Sequence, residues 1–429
     1  MAGSVTRRDF ARLFAVGGSA ALFADPVWAR QAPKTAAFAP GTAATGGEAY
    51  WKSVRDQFVM PPDLAVMNAA NLCPASRPAL EALTAETGSV DRDPSQQNRT
   101  KYPNAKEETR RRLAAFLRVT PEEIVITRNT SEANNLVSNG VELKAGDEVV
   151  VHADNHPSNF LAWHEKSKRF GFTVVTIPQV NPHPGFEHYI DAYAKAMTPR
   201  TKLVSVTHLT STVGDLMPVA EICRIARERN ILSLVDGAQS FGLLDVDLSA
   251  IDPDFYSGSG HKWPCSSREA GVLYINKRSH TKIWPSIYSA YPGGIGISRT
   301  FEGFGQRDDA THVAFGEALA FQTKVGRADI EKRSRALAQQ IKAGLAKIDG
   351  VKIWTHPAAD RSAAVVSFLP GSLDAQKLAN ALYKNDRVGI TTRGGEDRPG
   401  IRISPHFYNS PAEVDRFLAG VTRYMKSGV

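Results

Sequence analysis

From about residue 120 to 275 the chain alternates between two textures. Short, almost continuously apolar runs rich in β-branched residues stand at Ile124–Thr127, Glu148–Val151, Thr173–Ile177, Leu203–Val206, Ile231–Val235 and Gly271–Ile275. Stretches with helical spacing, such as Val219–Arg229, separate them. Brief runs with no polar alternation predict strands buried on both faces, and so a mostly parallel sheet between helices. Helical patterns at Ala79–Glu86 and Asn104–Leu117 precede the sheet and are expected to pack around its edge. After about residue 310 the pattern changes. Two long helical stretches, Thr311–Thr323 and Ala328–Ile348, lead into short strands at Ala364–Phe368 and Gly400–Ser404 and a closing helix, Ala412–Met425. The expected fold class is therefore α/β, with a large domain over residues 48–309 and a smaller α+β domain over residues 310–429. The glycine-rich Pro292–Gly296 stretch lies just ahead of the join.

The N-terminal 47 residues read differently. Thr6-Arg7-Arg8-Asp9-Phe10 is a twin-arginine pattern, followed by an apolar run, Leu13–Phe23, and by Val27-Trp28-Ala29 as a small-residue cleavage site. The run is shorter than the roughly 20 residues that cross a bilayer. Residues 1–29 are therefore expected to be a twin-arginine signal peptide rather than a stable membrane anchor. Export to the periplasm by the twin-arginine machinery follows as an expectation. That route carries folded proteins, often with a cofactor already in place. Residues 30–47, rich in Ala, Gly, Thr and Pro, read as a flexible leader.

Composition narrows the function. The chain has 429 residues, 42% hydrophobic and 22% charged, which excludes a disordered or fibrous protein. Its formal charge is +8, but lysines and arginines are scattered among acids and the longest basic cluster is Arg110–Arg112. A nucleic-acid binder concentrates such charge in a stripe, so a small anionic ligand suits this balance better. Three cysteines, Cys73, Cys223 and Cys265, are too few for a disulfide framework or a four-cysteine zinc site. Cys265, beside Trp263, reads as a packed small hydrophobe. The pairs His152/His156 and His183/His188 lack a companion carboxylate pattern, and Pro157 interrupts helical geometry, so no metal is expected.

Ligands in open α/β sheets sit outside the carboxyl ends of the strands, and the residues that follow each strand carry the chemistry. Thr130 and Ser131 stand where a helix should begin, so free backbone N–H groups and the helix dipole would form a phosphate cradle. His156 follows the second strand in Asn155-His156-Pro157. Asp236-Gly237-Ala238-Gln239 follows the fifth, and Ser259-Gly260-His261-Lys262 sets a lysine among small residues. One cofactor uses this whole set. A pyridine-ring aldehyde phosphate needs a lysine for a Schiff base, an acid at its ring nitrogen, a planar group against the ring and a nest for its phosphate.

These motifs resemble class V of the aspartate-aminotransferase-like, pyridoxal-phosphate-dependent enzymes of fold type I. Among them the chain is most similar to the branch of isopenicillin N epimerase and the exported, siderophore-tailoring aminotransferases. The likeness runs from about residue 60 to the C-terminus. It rests on Met67–Ala70, Thr130–Ala133, Asn155–Asn159, Thr207–Ser211, Val235–Gln239, Ser259–Lys262 and Ile401–Pro405. The resemblance implies a seven-stranded, mostly parallel sheet in the large domain and a homodimer. It implies Lys262 as the aldimine lysine, Asp236 at the pyridinium nitrogen, His156 stacked on the ring and Gln239 at the ring hydroxyl. Thr130, Ser131, Ser259 and His261 would hold the phosphate, and Ser211 stands near the ring where relatives often carry asparagine. Arg402 would clamp the substrate carboxylate bidentately, with Asn68 and Arg393 as further substrate contacts, Arg393 toward a second acidic group. Gln306 stands where relatives place a threonine that reaches the partner subunit's phosphate.

The related cysteine desulfurases carry a nucleophilic cysteine shortly before the carboxylate-binding arginine, whereas here Thr391–Gly400 contains none and no cysteine follows Cys265. Persulfide transfer from that loop is not expected. An exported enzyme acting at the Cα of an amino acid or a peptide-borne amino-acid group is the reading that follows. Transamination is favoured; epimerisation or β-elimination, and a non-catalytic protein that only holds ligand, stay open.

Overall fold

The computed structural model describes residues 43–394 and 397–429. The expected signal peptide and residues 30–42 of the expected leader lie outside the described residues. Residues 43–47 of that leader belong to the first helix, Ala43–Arg55, which is broken at Gly47.

Thirteen strands are described: β1 (Ala65–Val66), β2 (Ile124–Thr127), β3 (Glu148–His152), β4 (Thr173–Ile177), β5 (Thr201–Thr207), β6 (Leu232–Asp236), β7 (Phe255–Ser259), β8 (Gly271–Ile275), β9 (Val351–Ile353), β10 (Val366–Pro370), β11 (Val388–Gly389), β12 (Thr391–Arg393) and β13 (Gly400–Ile403). Seven form one sheet in the order β2-β8-β7-β6-β5-β3-β4. Neighbours from β7 to β4 run parallel, and β8 is antiparallel to both β7 and β2. Every residue of β2, β3, β7 and β8 is buried, as the apolar runs of β2 and β8 require, and burial extends to the small polar end of β7, residues 257–259. β4 is the exception. At the sheet edge, Thr173 and Thr176 face solvent, and a strand covered on one side tolerates their hydroxyls.

Trp163 and Phe172 pack with Val149, Val151, Leu203, Leu234 and Phe255 in a core under the helices Thr130–Gly140 and Pro157–Phe170. The helix Asp309–Val325 packs against the helices Arg77–Arg92 and Tyr102–Leu117. A second sheet, β12-β13-β10-β9, is wholly antiparallel and carries the C-terminal helices. The parallel pair β1–β11 ties the stretch ahead of the first domain core to the C-terminal region, with Ala65 opposite Val388. No helix among the described residues is long and apolar enough to cross a membrane.

Candidate active site

Five strands of the large sheet end on one side of the molecule, and their exits meet in a cavity of about 260 Å³. β6 ends in Asp236, and the turn after it requires glycine next, because a Cβ at Gly237 would lie 2.1 Å from the Tyr256 ring. Asp236 is buried, and its carboxylate is held by backbone and side-chain donors. Ala238 N–H gives to Oδ1 at 3.0 Å, and the amides of Asn134 and Asn159 give to Oδ2 at 2.9 and 3.3 Å. Those donors are all neutral, so the acid is positioned by hydrogen bonds and not by an ion pair.

β7 ends in Ser259, and the chain turns through Gly260 and His261 to Lys262. The Lys262 carbonyl accepts from Cys265 N–H at 3.0 Å, but its Nζ has no hydrogen-bond partner among the described residues. Burial, reinforced by Arg402 and opposed by Asp236, brings its pKa down to about 8. A lysine so depressed is within reach of its neutral, nucleophilic form.

The phosphate cradle forms where β2 meets the helix Thr130–Gly140. Asn129 caps that helix by accepting from the Glu132 N–H at 2.9 Å, and Arg128 N–H donates to the Glu132 carboxylate at 2.6 Å. Thr130 N–H and hydroxyl both meet Ser259 Oγ, at 2.9 and 2.8 Å, which stitches the β2 exit to the β7 exit. Ser131 and His261 complete that side of the cavity. Burial, Lys262 and Arg268 push the His261 imidazole down to about 4, so it meets the cavity uncharged at neutral pH.

His156 is the N-cap of the helix Pro157–Phe170 and is exposed at the cavity. Its Nδ1 lies 2.8 Å from Ser158 Oγ and accepts from Ser158 N–H at 3.2 Å, which fixes the ring plane. Burial and the neighbouring Lys262 outweigh Asp236 and lower its pKa. Gln239 is oriented at both ends: Oε1 accepts from Trp263 Nε1 at 2.8 Å and Nε2 donates to Ala70 C=O at 2.9 Å.

Arg402, on β13, lines the same cavity as Lys262. One Nη donates to Ser211 C=O at 3.0 Å; its Nε is buried without a partner, and no carboxylate pairs with it among the described residues. Burial, with repulsion from Arg393, lowers its pKa to about 10. An unpaired guanidinium at a cavity wall is a site for an anion.

Ten of the sequence-expected residues thus line a single cavity: Thr130, Ser131, His156, Ser211, Asp236, Gln239, Ser259, His261, Lys262 and Arg402. Three do not. Asn68 forms a bridge with Ser404, and its Oδ1 is buried without a partner. Arg393, on β12, is half-buried, with an unpartnered Nε. Gln306 is exposed and donates to Arg307 C=O at 3.1 Å, lining two other cavities of its own protomer. Asn71, Asn129, Ser158 and the pair Asn134/Asn159 were missed. An asparagine on a helix carries no periodic signal that it points at a strand end.

Cys73 and Cys265, with His406, bring three possible ligand atoms within 4.8 Å of one another. Both nitrogens of His406 are occupied, Nε2 by Trp263 C=O at 2.8 Å and Nδ1 by Ser334 Oγ at 3.0 Å. The histidine therefore serves packing, and burial with the Cys73 contact raises the Cys265 thiol.

The Aminotransferase class-V profile matches residues 76–417. The chain belongs to that family. Among class-V relatives, isopenicillin N epimerase of Amycolatopsis lactamdurans is 29% identical over 88% of this chain and 99% of its own length. The Streptomyces clavuligerus isopenicillin N epimerase is 30% identical over 85% and 96%. A solved cysteine desulfurase from Thermococcus onnurineus NA1 superposes with a TM-score of 0.79 at 24% identity, covering 87% of this chain and 98% of that one. Class-V membership makes pyridoxal 5′-phosphate the cofactor, and the cavity fits it: an unpartnered lysine, a carboxylate held by neutral donors, a planar imidazole and a helix N-terminus stand around one space.

Proposed function

We propose that this pyridoxal-phosphate enzyme acts at the Cα of an amino acid, free or peptide-borne, and that its reaction is transamination. The observation that carries the reading is Arg402, half-buried, without an acidic partner among the described residues and lining the same cavity as Lys262. Bound there, the cofactor supplies an electron sink for the substrate Cα. The chain's own residues do the rest. Asp236 would hold the ring nitrogen, His156 would stack on the ring, and Thr130, Ser131, Ser259 and His261 would hold the phosphate. Arg402 orients the α-carboxylate so that the Cα–H bond faces Lys262, whose Nζ takes and returns the proton. A pKa near 8 suits that shuttle. The lack of a cysteine in 391–400 argues against persulfide chemistry, since all three cysteines are buried elsewhere.

Arg393 supports a substrate with a second acidic group. Thr391 pairs with Arg402 and Arg393 with Gly400 across β12 and β13, so both arginines share one sheet face as diagonal neighbours. Export by the twin-arginine route, a periplasmic location and a homodimer in which Gln306 reaches the partner subunit's phosphate belong to the same proposal. They rest on the N-terminal pattern and on the resemblance of the 305–308 loop.

Incubation of the loaded enzyme with a panel of mono- and dicarboxylic amino acids, followed by mass spectrometry, decides the reaction. A keto product supports the proposal; an inverted centre or an eliminated fragment replaces transamination by epimerisation or lysis. Arg393→Gln should raise KM for dicarboxylic donors about tenfold while leaving monocarboxylic ones unchanged, the scale of one charge-assisted hydrogen bond lost.

A further inference from the structure

Three segments adjoining residues that line the cavity come from distant parts of the chain: residues 153–156 after β3, residues 208–212 after β5, and residues 397–399 just ahead of β13. They converge on one carboxylate. Asp154 is buried, accepts from Thr212 Oγ1 at Oδ1, and accepts from Arg398 Nη1 at Oδ2 over 3.2 Å. Arg398 is also buried, and its remaining donors go to Asp397. The link spans 244 residues of sequence.

Each partner of Asp154 lies next to a cavity residue. Asp154 is two residues before His156; Thr212 follows Ser211, whose carbonyl accepts from Arg402; and Arg398, just ahead of β13, precedes Arg402 by four residues. The backbone is bent to make the link. Arg398 sits at φ +53°, a left-handed conformation that costs a non-glycine residue of order 1 kcal/mol. Gly400, two residues on, has φ +124°, and a Cβ there would lie 2.2 Å from the Phe368 carbonyl. Strain of this kind persists where surrounding contacts over-determine it. An aspartate and an arginine buried together also cost desolvation, and an ion pair so placed adds fixed geometry more readily than stability.

We infer that Asp154, through Arg398 and Thr212, is a positioning residue that holds the His156 loop and the Arg402 turn in one register around the cofactor ring. It touches neither cofactor nor substrate; it sets the distance between the wall that stacks on the ring and the wall that receives the carboxylate. The inference rests on the proposed placement of the ring against His156. Borohydride trapping of the cofactor on Lys262 tests the site separately, so failure of one can be told from failure of the other.

The test uses the holoenzyme and pyridoxal 5′-phosphate alone as the probe, in Asp154→Asn, Arg398→Gln and the double variant. The visible circular-dichroism band of the bound cofactor reports the asymmetry around its ring. A merely structural role would move the melting temperature while leaving that band, per bound cofactor, unchanged. The expected result is a weakened band and a cofactor dissociation constant raised about tenfold in either single variant, the scale of one charge-assisted hydrogen bond. The double variant should be no worse than the singles, because both break the same link. Should a single variant fail to fold, Thr212→Val carries the test with an expected rise of about threefold, and Thr212→Ser restores the native band. A native band and affinity in the single variants, or effects that simply add in the double variant, overturn the inference.

Discussion

Two groups of charge withdrawn from solvent are built on opposite terms. At the first, Arg110 and Glu302 have fully buried side chains and face each other through two hydrogen bonds of 2.5 and 2.9 Å. Lys106 adds a second cation at 2.5 Å, Glu107 a second acid, and Ile124 C=O and Ile126 N–H take what is left. At the second, Lys262 and Arg402 have no acidic hydrogen-bond partner among the described residues, and Asp236, the nearby acid, spends its oxygens on amides. Protonation follows the same division. Burial alone would raise Glu302, but Arg110 and Lys106 outweigh it and bring it to about 2, while Glu302 and Glu107 raise Arg110 above its ordinary value. Lys262 and Arg402 go the other way, down to about 8 and about 10. Buried charge that is internally matched belongs to the scaffold. Buried charge left unmatched at a cavity is matched by what enters it.

The contrast can be broken most sharply at Lys262. Lys262→Ala should abolish the borohydride-stable cofactor adduct and lower turnover by at least about a thousandfold, the scale on which removing a covalent catalytic group is felt. Its melting temperature should hold or rise, because an unmatched amine leaves the interior. Peptide mapping and a thermal melt read both halves, and a large loss of stability would place Lys262 with the scaffold after all.

Glu302→Gln should do the reverse. It leaves Arg110 with only the half-exposed help of Glu107, and about 3 kcal/mol of stability should be lost, the low end for breaking a buried pair. Urea unfolding measures it, with cofactor affinity unchanged. The sign of its pH dependence follows from the lowered pKa. The carboxylate contributes stability above its ordinary value of 4.5, and that contribution disappears as pH falls through about 2. The stability gap between the native chain and Glu302→Gln should therefore close between those limits.

The smallest effect sharpens the picture rather than breaking it. Capture of pyridoxal 5′-phosphate by the apoenzyme should speed up as Lys262 sheds its proton, with a midpoint near pH 8 in stopped-flow absorbance. A midpoint near the ordinary lysine value of 10.5 would mean that the amine is solvated.

How far each region could be read in the sequence follows the same line. The buried strands announced themselves because both faces are covered: Ile124–Thr127 and Gly271–Ile275 match the sequence pattern to the residue, and the half-exposed edge strand Thr173–Ile177 does so through its β-branched run alone. β9 and β12 escaped, being three residues long and only half-buried, so their composition carries no strand signature. The cavity was legible wherever chemistry follows a strand directly, as at Asp236 and Lys262. It was not legible where helices supply the support. Asn134 and Asn159 look like any polar helical residues until the fold aims both at Asp236. Nor does local pattern reveal that Arg110, the first residue of the basic run Arg110–Arg112, lies wholly inside and paired with Glu302.

The bridge between Asn68 and Ser404, with β1 beside β11, has a consequence for the order in which the molecule is made. Lysine, acid and imidazole have all left the ribosome long before the guanidinium at 402, and the N-terminal stretch waits even longer for the strand it pairs with. A nascent polypeptide thus exposes an incomplete pocket for most of its synthesis, and the vitamin-derived group can be gripped from every side only when the last few dozen residues have emerged.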